Sequence, residues 1–336
     1  MLNIYFDERW PSGTGIGVVS QQLRSRLNGN WNLAPLQVAG KHAGILAPLK
    51  MAAKLKEKKV LKTDVFWNPG FVPPASVVCR TVVEVHDLTH LHYYSRLHRF
   101  YYNNFYRPLY RKVDKIVTCS EYTKFELCEW AGLSSDKVDV IYNGVSAGFS
   151  PVGEVFSTEY DYIFYPGNYR PYKNLKRLMS AFSLSRLPKL GVFLLMTGAG
   201  DKDLYALARS LNIEDRIRFT GRLSVEELAA CYRTSKMVCF PSLYEGFGLP
   251  IIEGMASGVP VLTSNLTSMP EVSGGAAYLV DPISIEEIRD GMNSLFFDNE
   301  LRGKLIKRGL ERAKEFSWDH AAEKMSAIFS GFDRNE

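Results

Sequence analysis

Met237-Val-Cys-Phe-Pro-Ser-Leu-Tyr-Glu-Gly-Phe-Gly-Leu-Pro-Ile-Ile-Glu-Gly-Met-Ala256 is the stretch whose reading decides the fold. Met237 to Phe240 is a short apolar, β-prone run, and Pro241 ends it. Gly246 and Gly248 permit backbone angles and close approaches that a side chain blocks, and Pro250 suits the start of a helix, where amide donors have no intrahelical partner. The spacing therefore predicts a strand, a glycine turn and a helix beginning near Leu249. It places Glu245 in the loop at the carboxyl end of the strand and Glu253 in the first helical turn. The amides of Phe247, Gly248 and Leu249 form part of an expected anion site, because a helix start presents donors and partial positive charge. A phosphate fits there, and the two carboxylates accept hydrogen bonds from sugar hydroxyls. The alternative is a solvated helix glutamate beside a loop carboxylate.

Outward from this stretch, strand-like and helix-like runs alternate. Tyr162 to Tyr165, Val192 to Thr197, Ile217 to Thr220 and Val259 to Thr263 read as further strands, with helices near Asn174 to Ser185, Lys202 to Leu211, Val225 to Arg233 and Pro250 to Ala256. The first half has the same grammar: strands Leu2 to Phe6, Asp64 to Trp67, Val77 to Val85, Lys115 to Cys119 and Val138 to Tyr142, with helices including Val18 to Leu27 and Glu121 to Ala131. Alternation of this kind predicts α/β domains with parallel, doubly wound sheets, and a ligand crevice at the carboxyl ends of their strands. The expected division is an amino-terminal domain over 1–145, a linker over 146–159 rich in glycine and proline, a second domain over 160–316, and a last helix over 317–336 with Ser317 as its cap.

A chain of 336 residues with 46% hydrophobic and 23% charged residues is long enough for two soluble domains with their own cores. Asp7 and Glu8 interrupt the opening apolar run, and no run approaches the ~20 residues that span a bilayer, so no signal peptide or membrane span is expected and the compartment reads as cytoplasmic. Five cysteines without a CxxC pair indicate neither a disulfide framework nor a zinc ribbon. Residues 1–150 hold 19 Lys/Arg against 12 Asp/Glu, so the basic surplus lies in the first half and favours an anionic partner there.

Four further features carry chemistry. Arg170 and Lys173 lie on a loop between a strand and a helix, where a diphosphate finds cations. Pro11-Ser-Gly-Thr-Gly-Ile-Gly17 follows the first strand; Gly13, Gly15 and Gly17 bring amides toward an anion, although the run lacks the spacing of a dinucleotide fingerprint and the Lys-Ser/Thr ending of a P-loop. His86 and Asp87 end a strand, which gives His86 a hydrogen-bonding or acid-base position; His86, His90 and His92 also read as a metal cluster, but no cysteine or second carboxylate cluster completes it. Lastly, the aromatic and basic residues from His90 to Lys112, with the lysines of Lys50 to Lys62, suit an anionic membrane surface, a nucleic acid, or simply half-buried helices with a solvated face.

These residues together resemble the family four retaining glycosyltransferases of GT-B architecture. The resemblance covers nearly the whole chain: the glycine loop at 13–17, His86-Asp87, Ile141-Tyr-Asn-Gly-Val145, Gly167 to Asn174, Thr197-Gly-Ala-Gly200, Thr220-Gly-Arg-Leu-Ser-Val-Glu-Glu-Leu228, Pro241 to Gly258, Pro270-Glu271, Val280-Asp-Pro282 and Phe316-Ser-Trp318. It implies two Rossmann-like domains facing a cleft and a last helix returning to the first. Glu253 would bind the ribose of a nucleotide sugar, Glu245 the transferred hexose, and Arg170 with Lys173 the diphosphate. Gly198, Gly221, Phe247, Gly248 and Leu249 would line the donor, with His86 near its sugar and Gly13, Gly15 and Gly17 toward the acceptor. One departure stands out: many members carry arginine directly after the glycine matching Gly167, whereas this chain has Asn168 and places Arg170 two positions later.

The resemblance further implies retention at the anomeric carbon without a protein nucleophile or metal cofactor, the departing phosphate taking the acceptor's proton. Within the family the chain looks most like bacterial mannosyltransferases of O-antigen, capsule or exopolysaccharide assembly. The implied donor is GDP-mannose, with UDP-glucose, UDP-GlcNAc or another donor as alternatives. The implied acceptor is a polyprenyl-diphosphate-linked saccharide, at the inner face of the plasma membrane and beside other assembly enzymes, and no nucleic-acid partner is expected.

Overall fold

A computed structural model gives the fold, with residues 2–11 and 13–333 described. Two compact units divide the chain. Residues 1–144 and 317–336 form the first, and residues 145–316 the second, so the second unit is an insertion in the first.

Six parallel strands build the first unit: β1 (Leu2–Asp7), β2 (Trp31–Leu36), β3 (Val65–Asn68), β4 (Arg80–Val85), β5 (Lys115–Thr118) and β6 (Val138–Val140), in the order β2-β1-β3-β4-β5-β6. β3 is buried along its whole length, as strands of a parallel sheet covered on both faces must be. One face is covered by Met51, Leu55, Tyr102, Tyr106, Tyr110 and Leu127. The other is covered by Val19 and Leu23 of the helix Gly15–Arg24 together with Ala321, Ala322, Met325 and Phe329 of the final helix Trp318–Asp333. Each large side chain buried there contributes about 1.5–3 kcal/mol. Ser317 caps that helix, its Oγ accepting from the amides of Asp319 at 3.2 Å and His320 at 3.4 Å.

The second unit repeats the plan with β7 (Tyr162–Tyr165), β8 (Phe193–Met196), β9 (Ile217–Phe219), β10 (Val238–Phe240), β11 (Val261–Ser264) and β12 (Tyr278–Val280), again all parallel, ordered β12-β11-β10-β7-β8-β9. The helix Val225–Thr234 begins with a capping box, Ser224 and Glu227 exchanging side-chain-to-amide bonds. In each sheet the strand order reverses once, between β1 and β3 in the first and between β7 and β10 in the second, and the loops leaving the carboxyl ends of such strand pairs diverge to leave a crevice.

Three expectations are corrected. Strands β2 and β12, both at sheet edges, were not expected from sequence. The stretch 146–159 is no free linker: the Arg233 guanidinium donates to the carbonyls of Gly148, Ser150 and Glu154, and the Phe156 amide donates to Thr234 Oγ1 at 2.9 Å. The helix Leu249–Ala256 starts where the glycine and proline spacing puts it, but Glu253 then falls in its second turn, because Gly248 is the cap and Leu249 and Pro250 fill the first positions.

Candidate functional site

The reversal point of the second sheet collects the charged residues singled out in that unit. After β7 the chain passes Gly167, where an added Cβ would lie 2.7 Å from Tyr165 Oη, and Arg170, then makes a tight turn over Pro171–Lys173. Asn174 follows in the left-handed region, at φ 63°, a conformation that asparagine tolerates better than most residues. Its Nδ2 donates to the carbonyls of Pro241 at 2.9 Å and Pro282 at 2.7 Å, pinning the loop after β7 to the loop after β10. Lys173 Nζ thereby donates to Glu245 Oε1 at 2.7 Å, and only 12% of each side chain is exposed. The ammonium also lies 4.9 Å from the centre of the Phe240 ring. Arg170 stands exposed on the same loop, its amide donating to Asn168 Oδ1 at 3.2 Å.

Glu245 is held from its backbone. Its amide donates to Thr267 Oγ1 at 3.2 Å, and Ser268 Oγ donates to the carbonyls of Glu245 at 2.9 Å and Phe247 at 3.1 Å. Gly248 makes the turn into the helix at φ 96°, where a side chain is strained and an added Cβ would meet Ile251 Cδ1 at 2.9 Å. One turn further, Glu253 Oε2 accepts from Tyr232 Oη at 2.6 Å. Burial pushes the Glu253 carboxyl up to about 7, with the tyrosine hydroxyl pulling the other way. Tyr232 is fully buried and this bond satisfies its hydroxyl, so the carboxylate is oriented and its other oxygen remains to accept from a ligand.

Gly198 and Gly221 join the loops after β8 and β9 in an antiparallel bridge, with reciprocal amide bonds of 3.0 and 2.9 Å, both at positive φ. Tyr169 reaches across from the loop after β7, its hydroxyl donating to the Thr197 carbonyl and accepting from the Gly200 amide at 3.2 Å. The loops after β7, β8, β9 and β10 are thus tied into one rim.

In the first unit, the glycine loop leads into the helix Gly15–Arg24. Thr14 Oγ1 accepts from the Gly17 amide at 3.1 Å, so that donor is taken by the helix cap; Gly13 and Gly15 are exposed, and Ser12 lies outside the described residues. His86 Nε2 lies 2.8 Å from the Pro69 carbonyl. A carbonyl only accepts, so Nε2 carries the proton and Nδ1 is left as an acceptor. Burial holds the imidazole below its usual range, hence neutral near pH 7. Cys119 Sγ donates to the His86 carbonyl at 3.0 Å. Beside it, the buried Glu84 accepts from Trp67 Nε1 at 2.8 Å and lies 3.7 Å from His86 Nε2. Glu84, His86, Asn143 and Trp318 line a cavity of about 10 Å³, room for one water, into which sequence reasoning gave no view.

His86, His90 and His92 do not converge on a common centre. His90 stacks on Tyr102 with ring centroids 3.6 Å apart, and His92 pairs with Glu126. Among the described residues no group of three His, Cys, Asp or Glu side chains is arranged to hold a metal ion.

Sequence reasoning also missed the network at the first sheet's reversal point. Asp7, wholly buried, accepts twice from Arg9, at 2.8 Å from Nε and 2.7 Å from Nη2. Asn68 accepts from Trp10 Nε1 at 3.3 Å and from the Gly70 amide at 2.8 Å. Nothing in the sequence marks Tyr232 or Asn68 either, since each works through a partner distant in the chain.

Two family descriptions match the chain: "Glycosyl transferases group 1" over residues 150–312 and "Glycosyltransferase Family 4" over residues 18–149. The O-antigen chain mannosyltransferase B of Escherichia coli is 28% identical over 295 residues, covering 82% of this chain and 76% of that protein. The serotype-specific mannosyltransferase WbdA of Escherichia coli is 29% identical over 290 residues, covering 78% of this chain but only 34% of the relative, so the chain spans about a third of that protein's length. Among solved structures, a glycosyltransferase from Rickettsia africae superposes with a TM-score of 0.75 at 18% identity, covering 100% of this chain and 99% of the other.

Proposed function

The chain belongs to the group 1 and family 4 glycosyltransferases, with their GT-B fold, and on that premise we propose that it moves mannose from GDP-mannose to a lipid-linked saccharide during synthesis of a bacterial surface polysaccharide. The names of its mannosyltransferase relatives favour the hexose and the pathway class. The observation that carries the reading is the meeting of Lys173 and Glu245, 72 positions apart in the chain, at the reversal point of the second sheet.

In this reading Glu253, oriented by Tyr232, accepts hydrogen bonds from the ribose hydroxyls, and Glu245 accepts from the hexose. Lys173, with Arg170 nearby, faces the diphosphate and stabilises the charge that grows as the bond from the anomeric carbon to the phosphate oxygen breaks. The acceptor oxygen bonds to the same face of that carbon, and its proton passes to the departing phosphate, so configuration is retained and no side chain is consumed. We propose no metal cofactor, the cations of the loop after β7 serving the diphosphate.

The decisive experiment measures thermal stabilisation by a panel of nucleotide sugars, since a ligand that binds the folded state raises the melting temperature by mass action. GDP-mannose should stabilise the protein, and Glu253→Ala should remove the shift. Stabilisation by UDP-glucose and not by GDP-mannose overturns the donor; transfer that stops on adding a chelator overturns metal independence.

A further inference from the structure

Between Glu8 and Glu57 the sequence has no acidic residue, and between Asp87 and Asp114 none either, while both stretches are rich in lysine and arginine. The fold brings them side by side: Tyr101 Oη donates to the Ile45 carbonyl at 2.6 Å. Tyr102, Tyr106 and Tyr110, four residues apart, anchor the second stretch in the core beneath. What that anchoring turns outward is apolar. The helix Arg96–Tyr101 buries none of its side chains, yet it carries Leu97, 76% exposed, and Phe100, 60% exposed. Beside it, at the start of the helix Ala47–Glu57, Ile45 is 73% exposed and Leu49 59% exposed.

Arg96 and Arg99 flank Leu97 and Phe100 on one segment, and Lys50 follows Leu49 on the other. Two nearby carboxylates are already engaged, Glu57 by Lys54 at 2.6 Å and Glu126 by His92. Water is a poor solvent for so many exposed leucine and phenylalanine side chains. Cations on stretches without acidic residues, their nearby carboxylates already paired, complement a sheet of phosphate groups, and large apolar side chains among them enter the boundary between head groups and acyl chains.

We propose that this face, centred on Leu97 and Phe100 with Ile45 and Leu49 alongside, docks the first unit onto an anionic lipid bilayer. The proposal deepens the reading of a lipid-linked acceptor and rests on it for its purpose, but the docking itself needs neither donor nor acceptor.

The test is sedimentation of the full chain with vesicles, without any nucleotide sugar. Wild-type protein should pellet with mixed phosphatidylglycerol and phosphatidylcholine, far less with phosphatidylcholine alone, and less as salt rises. The double variant L97Q/F100Q should bind at least about tenfold more weakly, and R96A/R99A about fivefold more weakly per charge at low salt. The control K304A/K307A, on the basic helix Asn299–Ala313 of the second unit, should bind as wild type does. Equal loss in that control would reduce the effect to net charge and overturn the assignment, as would unchanged binding by L97Q/F100Q. Vesicle binding absent, with mixed-sequence RNA retained by wild type and lost in R96A/R99A, would give the face to nucleic acid. A dimer that L97Q/F100Q converts to monomer would give it to a second copy. Failed docking with intact transfer to a water-soluble acceptor leaves the transferase reading standing.

Discussion

The two sheets reverse their strand order at equivalent points, and each reversal holds an ion pair, but the pairs are built for opposite ends. In the first unit Asp7 is wholly buried and its carboxylate accepts from Arg9 by two side-chain nitrogens and by the backbone amide at 3.2 Å. Arg9 spends its remaining reach on the Lys41 carbonyl at 3.2 Å. The Asp7 carboxylate thus takes three bonds from Arg9 alone. In the second unit Lys173 and Glu245 share one bond, and each keeps part of its side chain open. One topology thus makes a strut in one unit and a ligand-ready pair in the other, and the difference lies in how many bonds each carboxylate already accepts.

Exchanging the roles experimentally is the strongest way to break this contrast. Lys173→Ala should lower kcat about 100- to 1,000-fold per folded molecule, the usual loss for a group aimed at developing charge, and should cost stability as well, because Glu245 keeps only 12% of its side chain exposed and loses its counter-charge. Asp7→Asn should leave transfer per folded molecule intact while removing about 3 kcal/mol of stability, because Arg9 would stay buried without its counter-charge. The chain offers a clean probe for the second measurement. All five tryptophans, Trp10, Trp31, Trp67, Trp130 and Trp318, lie in the first unit, so their fluorescence during urea unfolding reports that unit alone. Stable but inactive Asp7→Asn protein would show the contrast to be false.

A smaller effect sharpens it. Burial pushes the Glu84 carboxyl from 4.5 up to about 8, against the pull of the Trp67 bond. Between those values the folded chain holds a proton that the unfolded chain has released, so stability falls as pH rises, by about 1.4 kcal/mol per pH unit at most. Glu84→Gln should flatten that slope in tryptophan-monitored unfolding; an unchanged slope would assign the pH dependence elsewhere. Smallest of all, Tyr232→Phe removes one hydrogen bond to Glu253 while keeping the buried ring, and should weaken donor binding about fivefold by calorimetry, near 1 kcal/mol. Unaltered affinity would mean that Glu253 needs no orienting partner.

The interior strands were legible because burial on both faces demands unbroken apolar runs such as Tyr162 to Tyr165. Two of the four edge strands were not. β2 carries Asn32 and Pro35 and is mostly half-exposed, which only a sheet edge tolerates, and β12 has three residues. Of the site, Lys173, Glu245 and the start of the helix Leu249–Ala256 were readable from glycine, proline and charge spacing. The helical turn that holds Glu253 was misjudged because the count depends on which glycine caps the helix. Tyr232 and Asn68 were invisible, since their meaning comes from partners across the fold and the chain records no local sign of them.

The insertion of residues 145–316 within the first unit has a temporal consequence. During synthesis the second unit has all its strands and helices before the ribosome makes Trp318, whereas the first waits with Val19, Leu23 and Trp67 uncovered until Ala321, Met325 and Phe329 arrive. The part of the protein made first is therefore the last to be finished, and in that interval its open sheet face is the surface that a chaperone would have to shield.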